Sequence, residues 1–221
     1  MKLEGCTLGF AITGSHCTYK DIPPQIVRLR SFGAQVIPIL SHTALHVDSR
    51  FGEANDWRKR IEEAAGHPAW TTVAETELIG PKGLFDCLII APCTGNTLAR
   101  LAHAFTDGPV LMAAKSQMRI HRPIVIAVST NDALGLNSLN LAKLFTTKDI
   151  YFVPMGQDDP LGKPKSLVAH MSLLLPTCFH AMEGRQFQPL LVPHPLPDRD
   201  VDTSERRELQ MISRRVALCN D

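Results

Sequence analysis

Five short apolar runs, each followed or preceded by a segment of helical period, constrain this chain more than any other feature. They are TLGFAI (7–12), QVIPIL (35–40), FDCLIIA (85–91), IVIAVST (124–130) and IYFVP (150–154). Rich in Ile, Val, Leu and Phe, they read as strands buried on both faces. Between the first two, Asp21 is placed to cap a helix with Pro23 and Pro24 in its first turn, Ile26 and Leu29 on its inner side and Gly33 at its end. Asn96 is placed to start another, in which Leu98, Leu101, Ala102 and Phe105 recur at i, i+3, i+4 and i+7. Segments 110–118 and 137–148 supply further crossovers. Parallel neighbours require such connections, and these are right-handed. The expected fold class is therefore α/β: a three-layer α/β/α, doubly wound parallel sheet of flavodoxin-like or Rossmann-like type.

The remaining segments are less periodic. Segment 41–84 contains one helical pattern at 56–65 and is expected to be an insertion over the ligand face. From Ser166 a helical stretch is expected to reach Glu183, divided at Pro176 and stopped by Gly184. Pro189, Pro193, Pro195 and Pro197 then mark a linker, and Asp202 with Glu205 resembles a capping box opening a charged helix to about Leu218. The expected organisation is an α/β domain over 1–192 and an appended tail over 193–221.

Charge and cysteines narrow the function classes. With 23 Lys+Arg against 22 Asp+Glu, no overall field favours nucleic acid or an anionic membrane. No apolar run approaches the roughly 18 residues of a membrane span, and the amino terminus lacks a signal-peptide layout. Cys6, Cys17, Cys87, Cys93, Cys178 and Cys219 are scattered without CxxC pairs, which points to a reducing cytoplasm and away from structural zinc.

In an open parallel sheet, ligands bind beyond the carboxyl ends of the strands, and the polar turns of this sequence fall there. The first is Thr13-Gly14-Ser15-His16, either an ordinary glycine turn or a phosphate site. The second, Ser41-His42-Thr43, reads equally as a helix cap and as a second phosphate contact. In the third, Pro92-Cys93-Thr94-Gly95-Asn96, Thr94 and Asn96 suit both helix capping and a ligand edge. Ser129-Thr130-Asn131-Asp132 repeats that chemistry. Cys93 is a small filler or, beside a helix amino end, an activated thiol.

Four polar turns at one edge leave charge to be supplied nearby. Arg50, Lys115, Arg119, Lys163 and Lys165 are the candidate cations for a carboxylate ligand, each also readable as a solvated surface charge. Arg50 beside Phe51-Gly52 and Lys163 in GQDDPLGKP are favoured. His16 is the candidate acid or base, with packing as its other reading. Asp158 and Asp159 either orient a base or a cation or form a turn before Pro160. Adjacent acids alone define no coordination shell, so no metal is expected.

TGS, APCTGNTLARLAHAFTD and IVIAVSTNDAL together resemble the flavoprotein family of flavin-containing cysteine decarboxylases and flavin prenyltransferases. More closely, TGSHCTY, RFGEANDW, IIAPCTGNTLARLAHAFTDGPVLMAAK, VSTNDALGLNSLNLAKLF and PMGQDDPLGKPKS resemble the B subunits of dipicolinate synthases from spore-forming bacteria, over Leu8 to about Val192. The resemblance implies an FMN-binding scaffold. Gly14, Ser15 and Ser41 match positions near the flavin phosphate and ribityl chain, Ala91, Pro92, Thr94 and Asn96 the turn beside the ring, and Ser129, Thr130 and Asn131 a later turn. It also implies a cytoplasmic oligomer, a trimer or higher, that works with the synthase's A subunit on a small dicarboxylate. NADP would then be carried by the A subunit, since this chain has no complete GxGxxG. The alternatives are an FMN-dependent decarboxylase or prenyltransferase and a non-catalytic scaffold for the A subunit. His67 stands in a different local context from the decarboxylases' catalytic histidine, which argues against peptidyl-cysteine decarboxylation.

Overall fold

The structure, a computed structural model, describes residues 3–192. The expected tail at 193–221, with its linker and capping box, lies outside the described residues.

Five parallel strands form the centre: β1 (Thr7–Ile12), β2 (Gln35–Leu40), β3 (Cys87–Cys93), β4 (Ile124–Thr130) and β5 (Ile150–Phe152). Their order, β2-β1-β3-β4 with β5 beyond β4, is the flavodoxin-like one. A short antiparallel pair, β6 (Met155–Gly156) and β7 (Leu167–Ala169), adds to the carboxyl end of β4 through Ser129 and Thr130. The sheet is therefore mixed, where the sequence suggested purely parallel pairing.

The period of two along the strands sorts side chains into two cores. Cys87, Ile89 and Ala91 of β3 join Leu8, Phe10, Ile12, Val125 and Ala127 on one face, under α1 (Ile22–Ser31), α3 (Ala54–Ala65) and α9 (Leu174–Met182). Leu88 and Ile90 join Ile124, Ile126 and Val128 on the other, under α6 (Gly95–Ala102), α7 (Pro109–Arg119) and α8 (Asn137–Phe145). Truncating any of these Leu or Ile side chains to Ala costs about 2–5 kcal/mol, so both layers are held firmly against the strands.

Several local expectations are corrected. Asp21 makes no side-chain cap; it ends a 3-10 helix, His16–Asp21, that runs directly into α1. Thr94, not Asn96, caps α6, accepting a hydrogen bond from the Thr97 N–H. That helix ends at Ala102, so Phe105 leaves the buried stripe and is 56% exposed. Strand β3 runs on through Pro92 and Cys93, two residues further than expected, and both residues stay buried in the sheet. Helix α8 stops at Phe145 rather than 148. The stretch after Ser166 is not one helix: Leu167–Ala169 is strand β7, and Pro176 sits in the first turn of α9, where its missing N–H breaks no hydrogen bond.

Segment 41–84 is not simply a cover over the ligand face. Helix α2 (His42–His46) follows β2, α3 packs on α1, and α4 (Val73–Glu77) and α5 (Ile79–Lys82) pack on α7 in the opposite layer. Its part at the ligand edge is α2 and the turn 49–52.

Candidate active-site cleft

Strand order reverses direction of growth between β1 and β3, so the turns after these two strands separate and open a crevice at their carboxyl ends. Thr13 ties the two turns together. Its hydroxyl donates to the Pro92 carbonyl at 2.6 Å and accepts from the Thr94 N–H at 3.0 Å, while Tyr19 donates its hydroxyl to the Thr13 carbonyl at 3.0 Å. Ser15 Oγ lies 2.7 Å from Ser129 Oγ and joins the first turn to the fourth.

Two adjoining hollows lie on either side of these ties, sharing Gly14 and Thr94. The smaller, about 250 Å³, is lined by Ser41, Thr43, Asn96 and Thr97 and reaches the amino ends of α6 and α7. Unpaired N–H groups and the positive end of each helix dipole suit an anion there. Arg100, paired with Asp107 at 3.5 Å, stands among its lining residues. A Cβ on Gly14 would lie 2.5 Å from Thr43 Cγ2, so only glycine lets the first and second turns approach this closely.

The larger hollow, about 450 Å³, is lined by residues from distant parts of the chain: Ser15, His16, Cys17, Arg50 and Phe51, Ser129 to Asn131, and Asp158, Lys163 and Ser166. Gly95 forms part of its floor, where a Cβ would lie 2.7 Å from both Thr130 Oγ1 and Asn137 Nδ2. The His16 ring rests against Tyr19, centroids 4.8 Å apart, and its Nε2 is shielded from solvent with no hydrogen-bond partner in the protein. The Arg50 guanidinium lies over the Phe51 ring, 4.9 Å from its centroid.

Lys163 is already paired. Its Nζ donates to Asp158 at 3.0 Å, and the Ser166 hydroxyl donates to the other carboxylate oxygen at 2.6 Å. Burial opposes ionisation of Asp158, but the Ser166 and Lys163 hydrogen bonds outweigh it and hold this carboxyl below the usual range. The bond to Asp158 in turn raises the Lys163 ammonium above its ordinary value. Asp158 thus divides the positive charge of Lys163 with any ligand, leaving Arg50 as the exposed, carboxylate-free guanidinium among the described lining residues of this hollow.

The structure separates the remaining candidates. Gly14, Ser15, His16, Arg50, Thr94, Ser129, Thr130, Asn131 and Lys163 line the larger hollow, and Ser41 and Asn96 the smaller. Ala91 and Pro92 line neither; they are buried at the end of β3, and Pro92 acts through its carbonyl on Thr13. Lys115 and Arg119 lie along the distal part of α7, whose amino end faces the site. Lys165 is exposed and lines neither hollow. Cys93 is fully buried and burial pushes its thiol well up, so it serves as filler. Asp159 holds its own turn, accepting from the Gly162 N–H at 2.9 Å. The sequence places Thr13 in the first turn but not its bracing role, and Tyr19 and Trp57 are not legible as site residues, since nothing in their spacing shows that they brace the turns.

The model of the family described as Flavoprotein matches residues 1–165. The chain belongs to the Flavoprotein family. Over 191 residues it is 50% identical to the B subunit of dipicolinate synthase from Bacillus subtilis (strain 168), spanning 86% of this chain and 96% of that protein. The crystal structure of the B subunit of dipicolinate synthase from Bacillus halodurans C superposes with a TM-score of 0.81 at 46% identity, over 87% of this chain and 99% of that one. The FMN-dependent cysteine decarboxylase SpaF, at 18% identity and a TM-score of 0.59 over 79% of this chain and 98% of its own, shares the fold. Among the described residues of this member of the family, no helix is long and apolar enough to cross a membrane.

Proposed function

We propose that this chain is the B subunit of a dipicolinate synthase, working with the A subunit to oxidise dihydrodipicolinate, or its 4-hydroxy-tetrahydro precursor, to dipicolinate in the cytoplasm of a sporulating cell. The observation that carries this reading is the pairing of an anion-suited hollow with a ring-wide one bearing Arg50, in a chain half identical to a dipicolinate synthase B subunit.

The residues fit FMN. The amino ends of α6 and α7 with Ser41 and Thr43 would hold the phosphate, Gly14 and Thr94 would pass the ribityl chain, and Gly95 with Thr130 would border the ring. Bound FMN would supply the two-electron acceptor that aromatising a dihydropyridine requires; NADP, carried by the A subunit, is the other source. Arg50 binds one substrate carboxylate through its planar fork, and Lys163 provides a weaker second charge tempered by Asp158. His16 holds the proton released as the ring becomes aromatic, a role suited to an imidazole whose Nε2 has no partner within the protein.

The test is dipicolinate formation by the isolated A subunit, this chain alone and the two mixed, with the visible spectrum of the purified chain recorded before and after adding FMN. Activity only in the mixture is expected, with absorbance at roughly 450 nm for bound flavin. Equal activity from the isolated A subunit would overturn the catalytic partnership, and a colourless chain that ignores added FMN would overturn the cofactor assignment.

A further inference from the structure

Arg50 projects from a turn outside the sheet, so its position depends on what fixes that turn. Residues 49–52 form a tight turn in which Ser49 and Gly52 exchange backbone hydrogen bonds at 3.1 and 3.0 Å, with Arg50 and Phe51 at its tip. The Ser49 hydroxyl oxygen accepts from the Phe51 N–H at 3.2 Å. These bonds shape the turn without attaching it to the body. Two others do that: Asp48 accepts from the Ala54 N–H at 2.8 Å, and the Trp57 indole N–H donates to the Phe51 carbonyl at 3.1 Å.

Trp57 is 7% exposed and is held from several sides. Its ring meets Tyr19 edge-on, centroids 5.6 Å apart at 83°, and Arg60 lies over its outer face at 5.0 Å. Tyr19 is fully buried, anchored to the Thr13 carbonyl, and also packs against the His16 ring. Gly52 lies against the indole with φ +131°, where a Cβ would come within 2.8 Å of Trp57 Nε1. A single aromatic pair therefore supports the carrier of Arg50 and the ring of His16 together. A buried indole N–H needs an acceptor, and here the acceptor is the backbone of the turn that faces the cleft.

We infer that Trp57 is a positioning residue for Arg50: its indole N–H holds the 49–52 turn so that the guanidinium faces the larger hollow. An Arg side chain on an untethered turn spreads over many rotamers, and ordering it on binding reduces affinity. The inference rests on the dicarboxylate reading above, but it assigns to the helix α3 tryptophan a role in ligand affinity that core packing alone does not require.

The test uses the full chain titrated calorimetrically with dipicolinate, comparing Trp57→Phe, Arg50→Gln and the double variant. Phe keeps most of the ring and removes the N–H. The expected result is a loss of affinity of roughly three- to tenfold for Trp57→Phe, the equivalent of one hydrogen bond, with the double variant no weaker than Arg50→Gln. FMN affinity stays at the wild-type value in Trp57→Phe, because the residues assigned to FMN, in both hollows, do not include Arg50. The chain has two tryptophans, so in a Trp70→Phe background Trp57 is the sole indole and its emission should shift on adding dipicolinate, but not when Arg50→Gln is also present. Wild-type dipicolinate affinity in Trp57→Phe, or a double variant weaker by the product of the two single losses, overturns the positioning role. Equal binding by wild type and Arg50→Gln overturns the dicarboxylate reading itself, a result distinct from the first two.

Discussion

Ser15 Oγ and Ser129 Oγ share a hydrogen bond of 2.7 Å across 114 residues, so the first and fourth turns of the cleft are tied directly to each other. Ser129 is almost wholly buried, which leaves little water to replace a lost partner. Ser129→Ala and Ser15→Ala should each lower stability by about 0.5–1.5 kcal/mol, and the double variant by less than the sum. Urea unfolding of the four proteins measures this coupling.

Thr13 should matter more, because its hydroxyl serves two backbone groups, one of them in a buried hydrogen bond. Thr13→Val removes the donor to Pro92 and the acceptor for Thr94 while keeping the volume, at an expected cost of about 1–3 kcal/mol. Thr13→Ser restores the hydroxyl and should recover most of that loss in the same unfolding assay.

Gly95 is a tight point of the floor. Gly95→Ala forces Thr130 or Asn137 aside, with an expected destabilisation of about 1–3 kcal/mol and weaker FMN binding. Thermal melts and an FMN titration separate these two effects, and wild-type values in both would show that the floor yields freely.

The Asp158–Lys163 tie has a defined pH window. The Asp158 carboxyl is held low, so its contribution is complete above the pKa of a free aspartate and disappears as pH falls through the lowered value. Lys163 is held high, so its contribution is complete below the pKa of a free lysine and disappears as pH rises through the raised value. Backbone exchange in loop 157–166, corrected for intrinsic rates, should therefore be flat between about pH 5 and 9 and severalfold faster in Asp158→Asn.

Thiol chemistry should sort by burial. Cys17 is exposed at the cleft, whereas Cys87, Cys93 and Cys178 are buried. Alkylation of the native chain followed by peptide mass mapping should label Cys17 and spare those three until the protein unfolds. Labelling of Cys93 in the native state would contradict its role as filler.

Strands β1, β2 and β4 are legible to the residue because each is an apolar run bounded by polar turns. Strand β3 outruns its apparent end because proline normally marks one, yet Pro92 remains in the sheet. Leu167 to Ala169 reads as helix in the sequence since a run that short has no period to distinguish it, and only pairing with Ser129 and Thr130 makes it a strand. The polar turns announce the ligand edge through their composition. Their bracing does not show, because Thr13, Tyr19 and Trp57 act through contacts that no local pattern encodes. Asp158 and Asp159 read in the sequence as able to orient a cation, but only the folded loop shows that Asp158 holds Lys163 while Asp159 holds the turn.

The antiparallel pair β6 and β7 hangs loop 157–166 from the carboxyl end of β4, while Arg50 hangs from the 49–52 turn, and neither belongs to the five-strand frame. The groups that would discriminate one acid from another are thus carried on pendants, whereas the anion-suited hollow is built from the frame's own turns. A descendant of this chain could exchange its pendants and acquire a new substrate without disturbing the cradle beneath.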